Sequence, residues 1–107
     1  MILVNRERDN MAKKTEKKKF NWEYFLDTST RKVVHCETEQ EADAFKQMLH
    51  ERGLTWRSGN PYTNKNIGKF GEYPNGICYT NGGRYCGLEH YNECGYEIFK
   101  FSAYDFR

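Results

Sequence analysis

The residues of this chain with the widest chemical reach are four cysteines and three histidines. Structural zinc sites draw on close pairs such as Cys-x2-Cys, which set two thiolates on one tight turn. Here Cys36 stands far from Cys78, and seven residues separate Cys78 from Cys86 and Cys86 from Cys94, so there is no close pair. His35 and Cys36 are adjacent, but adjacent residues on a strand point to opposite faces. Small buried hydrophobes explain the cysteines more simply, and no metal is assigned to them. Nucleophilic catalysis needs a thiolate or hydroxyl, a base and an orienting group together. Cys36, Cys86 and Cys94 with His35, His50 and His90 supply the types without a local signature. Glu37, Glu39, Glu41, Asp43 and Glu51 decorate a helix and its start, as a solvated face would. Asn81-Gly82-Gly83 reads as a hairpin turn rather than a strand-to-helix phosphate loop. The expectation is a non-enzyme without a cofactor.

Recognition chemistry is better represented. Trp56 and Arg57 stand at the start of one long loop that carries Tyr62, Lys65, Lys69 and Tyr73, and Arg84 and Tyr85 fall on a later hairpin. Arg and aromatic residues make interface anchors, and they also clamp flat anionic ligands such as nucleotides. These eight are the candidate binding residues.

The element that must organise them runs from Thr38 to Gly53. Thr38 and Glu41 have capping-box spacing. Ala42, Phe45, Met48 and Leu49 then form one apolar stripe of an amphipathic helix. His50 and Arg52 suit its C-terminal dipole, and Gly53 is placed to leave it in a left-handed conformation. Before it, aromatic Trp22–Asp27 and apolar Lys32–Cys36 read as a hairpin around a polar turn. After it, Leu54–Gly59 reads as a short strand, and residues 58–76 as a loop crowded with Gly, Asn and Pro. Ile77–Thr80 and Gly83–Cys86 form a second hairpin through a two-residue Asn81-Gly82 turn. Leu88–Cys94 reads as a short helix, Tyr96–Phe101 as the last strand, and residues 102–107 as a tail. The fold class is α+β, a small mostly antiparallel sheet with one long and one short helix, in the order β-β-α-β-loop-β-β-α-β. Hairpin, cysteine, helix, glycine and strand recur in both halves, which raises an internal duplication, although sequential hairpins and helices also recur without common origin.

Composition bounds the rest. At 107 residues the chain makes one domain, and its eight Tyr, seven Phe and two Trp can stabilise a small core. Residues 1–19 carry seven Lys/Arg against three Asp/Glu, residues 20–52 four against seven, and residues 53–107 six against five. Residues 1–19 are expected to be a basic disordered arm ahead of a domain over 20–107. Residues 6–19 would give weak, non-specific nucleic-acid binding at most, because the folded part lacks a basic face. No run approaches membrane-spanning length, and charged residues follow MILV too soon for a secretory signal. A reducing compartment with free thiols is the expectation.

The stretch VVHCETEQEADAFKQMLHERGLTWRSG resembles small proteins of bacteriophages and prophages: an apolar strand ending in His-Cys, a capped helix, then Gly-apolar-x-Trp-x-x-Gly. The later ICYT, the Tyr-rich hairpin and GYEIFKF fit the same resemblance, which covers most of residues 32–101. It implies no catalytic residues. It implies a phage accessory protein acting in the host cytoplasm, as monomer or homodimer. The leading expectation is an anti-CRISPR-like inhibitor that blocks a bacterial defence protein, such as a CRISPR effector, with loop 56–73 and the second hairpin. A sponge for a nucleotide immune signal is the alternative, and it requires Arg and aromatic residues from two places to converge on one pocket, across a dimer. A nucleic-acid-binding module using the arm is the third.

Overall fold

A computed structural model describes residues 17–107. The elements are β1 (Lys18–Lys19), α1 (Trp22–Leu26), β2 (Lys32–Cys36), α2 (Glu39–Glu51), β3 (Ile77–Thr80), β4 (Tyr85–Gly87), α3 (Leu88–Glu93), β5 (Glu97–Lys100) and β6 (Tyr104–Asp105), with 3-10 turns at Phe70–Glu72 and Phe101–Ala103. This is an α+β fold. Its main sheet has the order β4-β3-β2-β5, antiparallel except where β5 runs parallel to β2.

The long helix follows the sequence closely. Thr38 Oγ1 accepts from the Glu41 amide at 3.1 Å. The Glu41 carboxylate reaches one residue further back than a capping box requires, to the Glu37 amide at 2.9 Å. At the other end Gly53 has φ +79°, its amide bonds to the His50 carbonyl, and the Leu54 amide bonds to Leu49. That is a Schellman ending. Gly95, φ +76°, closes α3 in the same way, with Tyr96 bonded to the Tyr91 carbonyl. The repeat goes no further than these glycines. Tyr96 leads into β5, whereas Leu54–Gly59 makes no strand, only one bridge between Thr55 and Pro61. The Trp56 amide bonds to Asn60 and the Gly59 amide to Trp56, so the chain turns at once. The place beside β2 belongs to β5.

Trp22–Leu26 is a helix, not the strand expected from its aromatic content. Asn21 caps it, accepting from the Tyr24 amide at 3.0 Å. Helical spacing puts Trp22, Phe25 and Leu26 against the main core and leaves Tyr24 exposed, an arrangement that strict alternation could not give. The β3–β4 connection also differs from the two-residue turn. Thr80 and Arg84 remain paired, the loop has three residues, and Gly83 rather than Gly82 takes the positive φ, +83°.

Alternation along the strands divides the interior. Val34, Cys36, Ile77 and Tyr79 face α1 and α2, and Val33 and Cys78 face Tyr91 of α3. Lys32 is fully buried, with its Nζ donating to the Asp27 carbonyl at 2.7 Å over the ring of Tyr24. The segment 102–107 is not a tail. β6 pairs in parallel with β1, Trp22 Nε1 donates to the Phe106 carbonyl at 3.1 Å, and the Phe20 and Phe106 rings lie 4.3 Å apart. Three aromatic residues in the last seven (Phe101, Tyr104, Phe106) draw the segment into the core. The domain boundary shifts with it. Lys18 and Lys19 belong to a strand, exposed Lys17 precedes it, and residues 1–16 of the expected arm lie outside the described residues.

Replacing Phe106 with Ala is expected to destabilise the fold by about 3 kcal/mol in urea denaturation. A change within about 0.5 kcal/mol would return the segment to the status of a tail.

Candidate functional site

The Schellman turn at Gly53 sends the chain across the tip of the β3–β4 hairpin. There the Arg57 amide donates to the Gly83 carbonyl at 2.9 Å. A Cβ on Gly83 would stand 2.6 Å from the Arg57 nitrogen and 3.0 Å from the Thr55 carbonyl oxygen, in a backbone conformation side chains rarely adopt. Only glycine permits the crossing. The hairpin tip is held independently. Thr80 Oγ1 accepts from the Gly82 and Arg84 amides, and Asn81 Nδ2 donates to the carbonyls of Asp27 and Thr30.

This crossing brings Arg57 and Arg84, 27 positions apart in the chain, to one open cavity of about 350 Å³. Trp56, Ile67 and Tyr85 supply its apolar walls, and Ser58 and Gly83 complete it. Both arginines are exposed. Among the described residues neither guanidinium has a carboxylate within ion-pair distance. A second cavity of about 390 Å³ shares Trp56, Arg57 and Gly83 with the first. Its own walls include Phe25, Leu26, Leu49, Leu54 and Tyr62, with Thr55 and Gly82 beside them.

The eight candidate residues therefore separate. Trp56, Arg57, Arg84 and Tyr85 meet at the first cavity. Trp56 and Tyr62 are each 3% exposed, with rings 4.4 Å apart, so they are core residues rather than the surface anchors expected. The Trp56 ring also packs on Tyr79 and Tyr85, and Gly68 fits against its edge. Loop 58–76 is thus partly an inward-folded cover, because Ile67, Phe70 and Tyr73 also pack on the core. Tyr73 is half-buried, 6.1 Å from the Tyr85 ring, and supports that wall from behind. Lys65 and Lys69 lie elsewhere, on a mixed-charge cavity of about 410 Å³ against α2 with Glu39, Asp43, Lys46 and Glu72. Ser58, Ile67 and Gly83 are site residues that the sequence reading missed. Ile67, an isolated aliphatic residue in a polar loop, was the available signal.

Cys78 and Cys86 stand opposite each other on β3 and β4. Cys36 and Cys78 are buried, Cys86 is half-buried and Cys94 exposed. Burial pushes the Cys36 thiol well up and that of Cys78 to about 12, so neither is a thiolate at neutral pH. Cys94 Sγ lies 3.9 Å from His90 Nε2 on α3, and His35 Nε2 is 2.9 Å from the Asn75 carbonyl. Among the described residues no three of His, Cys, Asp and Glu stand close enough to share a metal ion, and no helix is long and apolar enough to cross a membrane.

Two outcomes are expected. Gly83→Ala should cost about 2 kcal/mol or more in thermal or urea unfolding, because strain and a backbone clash add. A neutral result would mean the crossing is not tight. Burial also pushes the Tyr62 hydroxyl up to about 12. The absorbance difference at alkaline pH between the parent protein and Tyr62→Phe should therefore have its midpoint near 12. A midpoint near 10, where an exposed tyrosine ionises, would put Tyr62 back on the surface.

No family model, no curated protein and no solved structure matches the chain.

Proposed function

We propose that this chain is a non-catalytic binding protein that captures a flat, anionic ligand of the nucleotide class between Arg57 and Arg84. The observation that carries this reading is that two exposed arginines, neither of them ion-paired among the described residues, line one cavity with aromatic walls. Arginine forks match phosphate oxygens bidentately, and guanidinium groups with no acidic neighbour keep that capacity for a ligand. The protonated buried thiols and the scattered histidines fit a protein that binds rather than reacts. In the phage setting that the sequence resembles, such capture would sequester a nucleotide immune signal in the host cytoplasm. The site is assembled within one chain, so a dimer is not required.

A direct inhibitor of a bacterial defence protein is the second reading. Arg84, exposed next to the hairpin tip, favours it, since an acidic side chain of a partner could enter the same cavity. It ranks lower because Trp56 and Tyr62, which were to be its hot-spot anchors, are buried. Nucleic-acid binding through residues 6–19 rests almost wholly on positions outside the described residues.

Calorimetric titration with ADP tests the first reading. Each of Arg57→Ala and Arg84→Ala should weaken binding roughly 10- to 100-fold, since a charged hydrogen bond contributes about 1.5–3 kcal/mol. The double substitution should abolish binding while circular dichroism shows an unchanged fold. Equal binding by the parent and the double variant would overturn the assignment. Co-purification of a stoichiometric protein partner that the same double substitution releases would favour the second reading.

A further inference from the structure

Two of the four cysteines share one face of the main sheet. Cys78 on β3 and Cys86 on β4 are direct partners in the antiparallel ladder, and both belong to the cluster around Tyr91. The Thr80 amide donates to the Arg84 carbonyl at 2.8 Å. Pair types alternate along such a ladder, so Cys78 and Cys86, two positions further on each strand, are again a hydrogen-bonded pair. Cα atoms in such a pair stand about 5.5 Å apart, inside the roughly 4.4–6.8 Å usual for bridged cysteines. Directly opposed Cβ atoms lie about 4.5–5.5 Å apart against about 3.5–4.5 Å in a disulfide, so a bond draws the strands in by about 1 Å. β4 can yield that much, being three residues long and at the edge of the sheet beside β3. The other two cysteines are placed apart. Cys36 belongs to the core cluster on the opposite face, and the six residues of α3 put roughly 9 Å of helical rise between Cys86 and Cys94.

We propose that Cys78 and Cys86 are a modification site, a thiol–disulfide pair that small disulfides of the glutathione class oxidise and small thiols reduce. It is independent of anion capture. Exposure assigns the two roles. Cys86 is half-buried and is the thiol a small disulfide can reach, whereas Cys78 is fully buried among Val33 and Tyr91. Burial also pushes the Cys78 thiol up to about 12, so it is not the first attacker. The Cys86 thiolate attacks one sulfur of oxidised glutathione, forming a mixed disulfide and expelling one glutathione thiolate. Cys78, deprotonated in its turn, attacks the Cys86 sulfur, and the second glutathione thiolate leaves. The two thiol protons end on the two glutathiones, which take up the two electrons that the cysteines give. Cys78 already stands opposite its target, so this second step is intramolecular and favoured over attack by a thiol from solution. The bond fastens the strand that carries Tyr85, a wall of the first cavity.

The test exposes the folded full chain to oxidised glutathione without denaturant, blocks the remaining thiols and maps the linkages by mass spectrometry. Cys94→Ser is the background, because the exposed Cys94 takes up glutathione by itself. In that background the chain should lose two hydrogens in mass and keep no glutathione. A peptide linked through Cys78 and Cys86 should appear, and dithiothreitol should restore the starting mass. Adding Cys78→Ser should instead arrest the reaction at a glutathione adduct on Cys86. Adding Cys86→Ser leaves only buried thiols and should slow oxidation roughly tenfold or more, with circular dichroism confirming the fold of each variant. A glutathione adduct that persists on Cys86 while Cys78 is present, a bond joining any other cysteines, or no oxidation at all would each overturn the proposal. Oxidation of a folded Cys86→Ser chain as fast as its background would do the same. The linkage map of the Cys94→Ser chain decides by itself if either added substitution prevents folding.

Discussion

Phe45 is the residue on which the interior depends. Its ring lies 5.7–6.2 Å from those of Phe25, Phe101, Phe106, Tyr79 and Trp22, and it is nearly parallel to the last. These contacts join α2 to α1, to the sheet and to the C-terminal segment at one point. The rotational setting of α2 follows from its two ends, the Thr38 cap and the Gly53 exit. A slip of one residue would turn the helix by about 100° and take Phe45 out of the cluster. The sheet is small, so it relies on this aromatic cluster for much of the area it buries.

From that same exit the chain is delivered to the hairpin tip, where core and candidate site meet. Trp56 is a core residue by burial and a wall residue by position, and the neighbouring Arg57 is exposed and borders the same cavity. Two adjacent residues thus belong to different layers, with Gly83 providing the close approach that holds them there. The site is built on backbone contacts that a helix ending and a hairpin enforce, rather than on a mobile stretch of loop. Such support is what keeps two long, flexible side chains aimed at a common volume.

The elements legible in the sequence were those whose signals are local. The capped α2, the glycines that end both long and short helices, and the pairing of β3 with β4 all depend on residues within a few positions of each other. The failures have a common cause in tertiary context. Trp22–Leu26 is aromatic-rich like a strand, yet Asn21 supplies a helix cap and Phe25 finds its partners far along the chain. Ser102–Arg107 is short and mixed in polarity, and Phe106 is buried by distant rings, those of Phe20, Trp22 and Phe45. Of the residues chosen by type, Arg57, Arg84 and Tyr85 come together at the first cavity. Residue types could not show that Trp56 and Tyr62 would be consumed by the core, nor that Lys65 and Lys69 would face α2 instead.

The short parallel pairing of β1 with β6 has a kinetic consequence. Lys18 meets Tyr104, Phe20 bonds to Asp105, and Trp22 bonds to Phe106, so the contacts that close the main core span more than eighty residues. Loop closure over that length is slow compared with formation of α2 or the hairpin, and it contributes to a high contact order. During synthesis α2 and the β3–β4 hairpin can form early, but β5 joins the sheet late, and Phe20 and Trp22 must wait, exposed, until Phe106 has left the ribosome. The interval in which this core is most vulnerable to aggregation and proteolysis therefore lasts until Phe106 can reach Phe20 and Trp22.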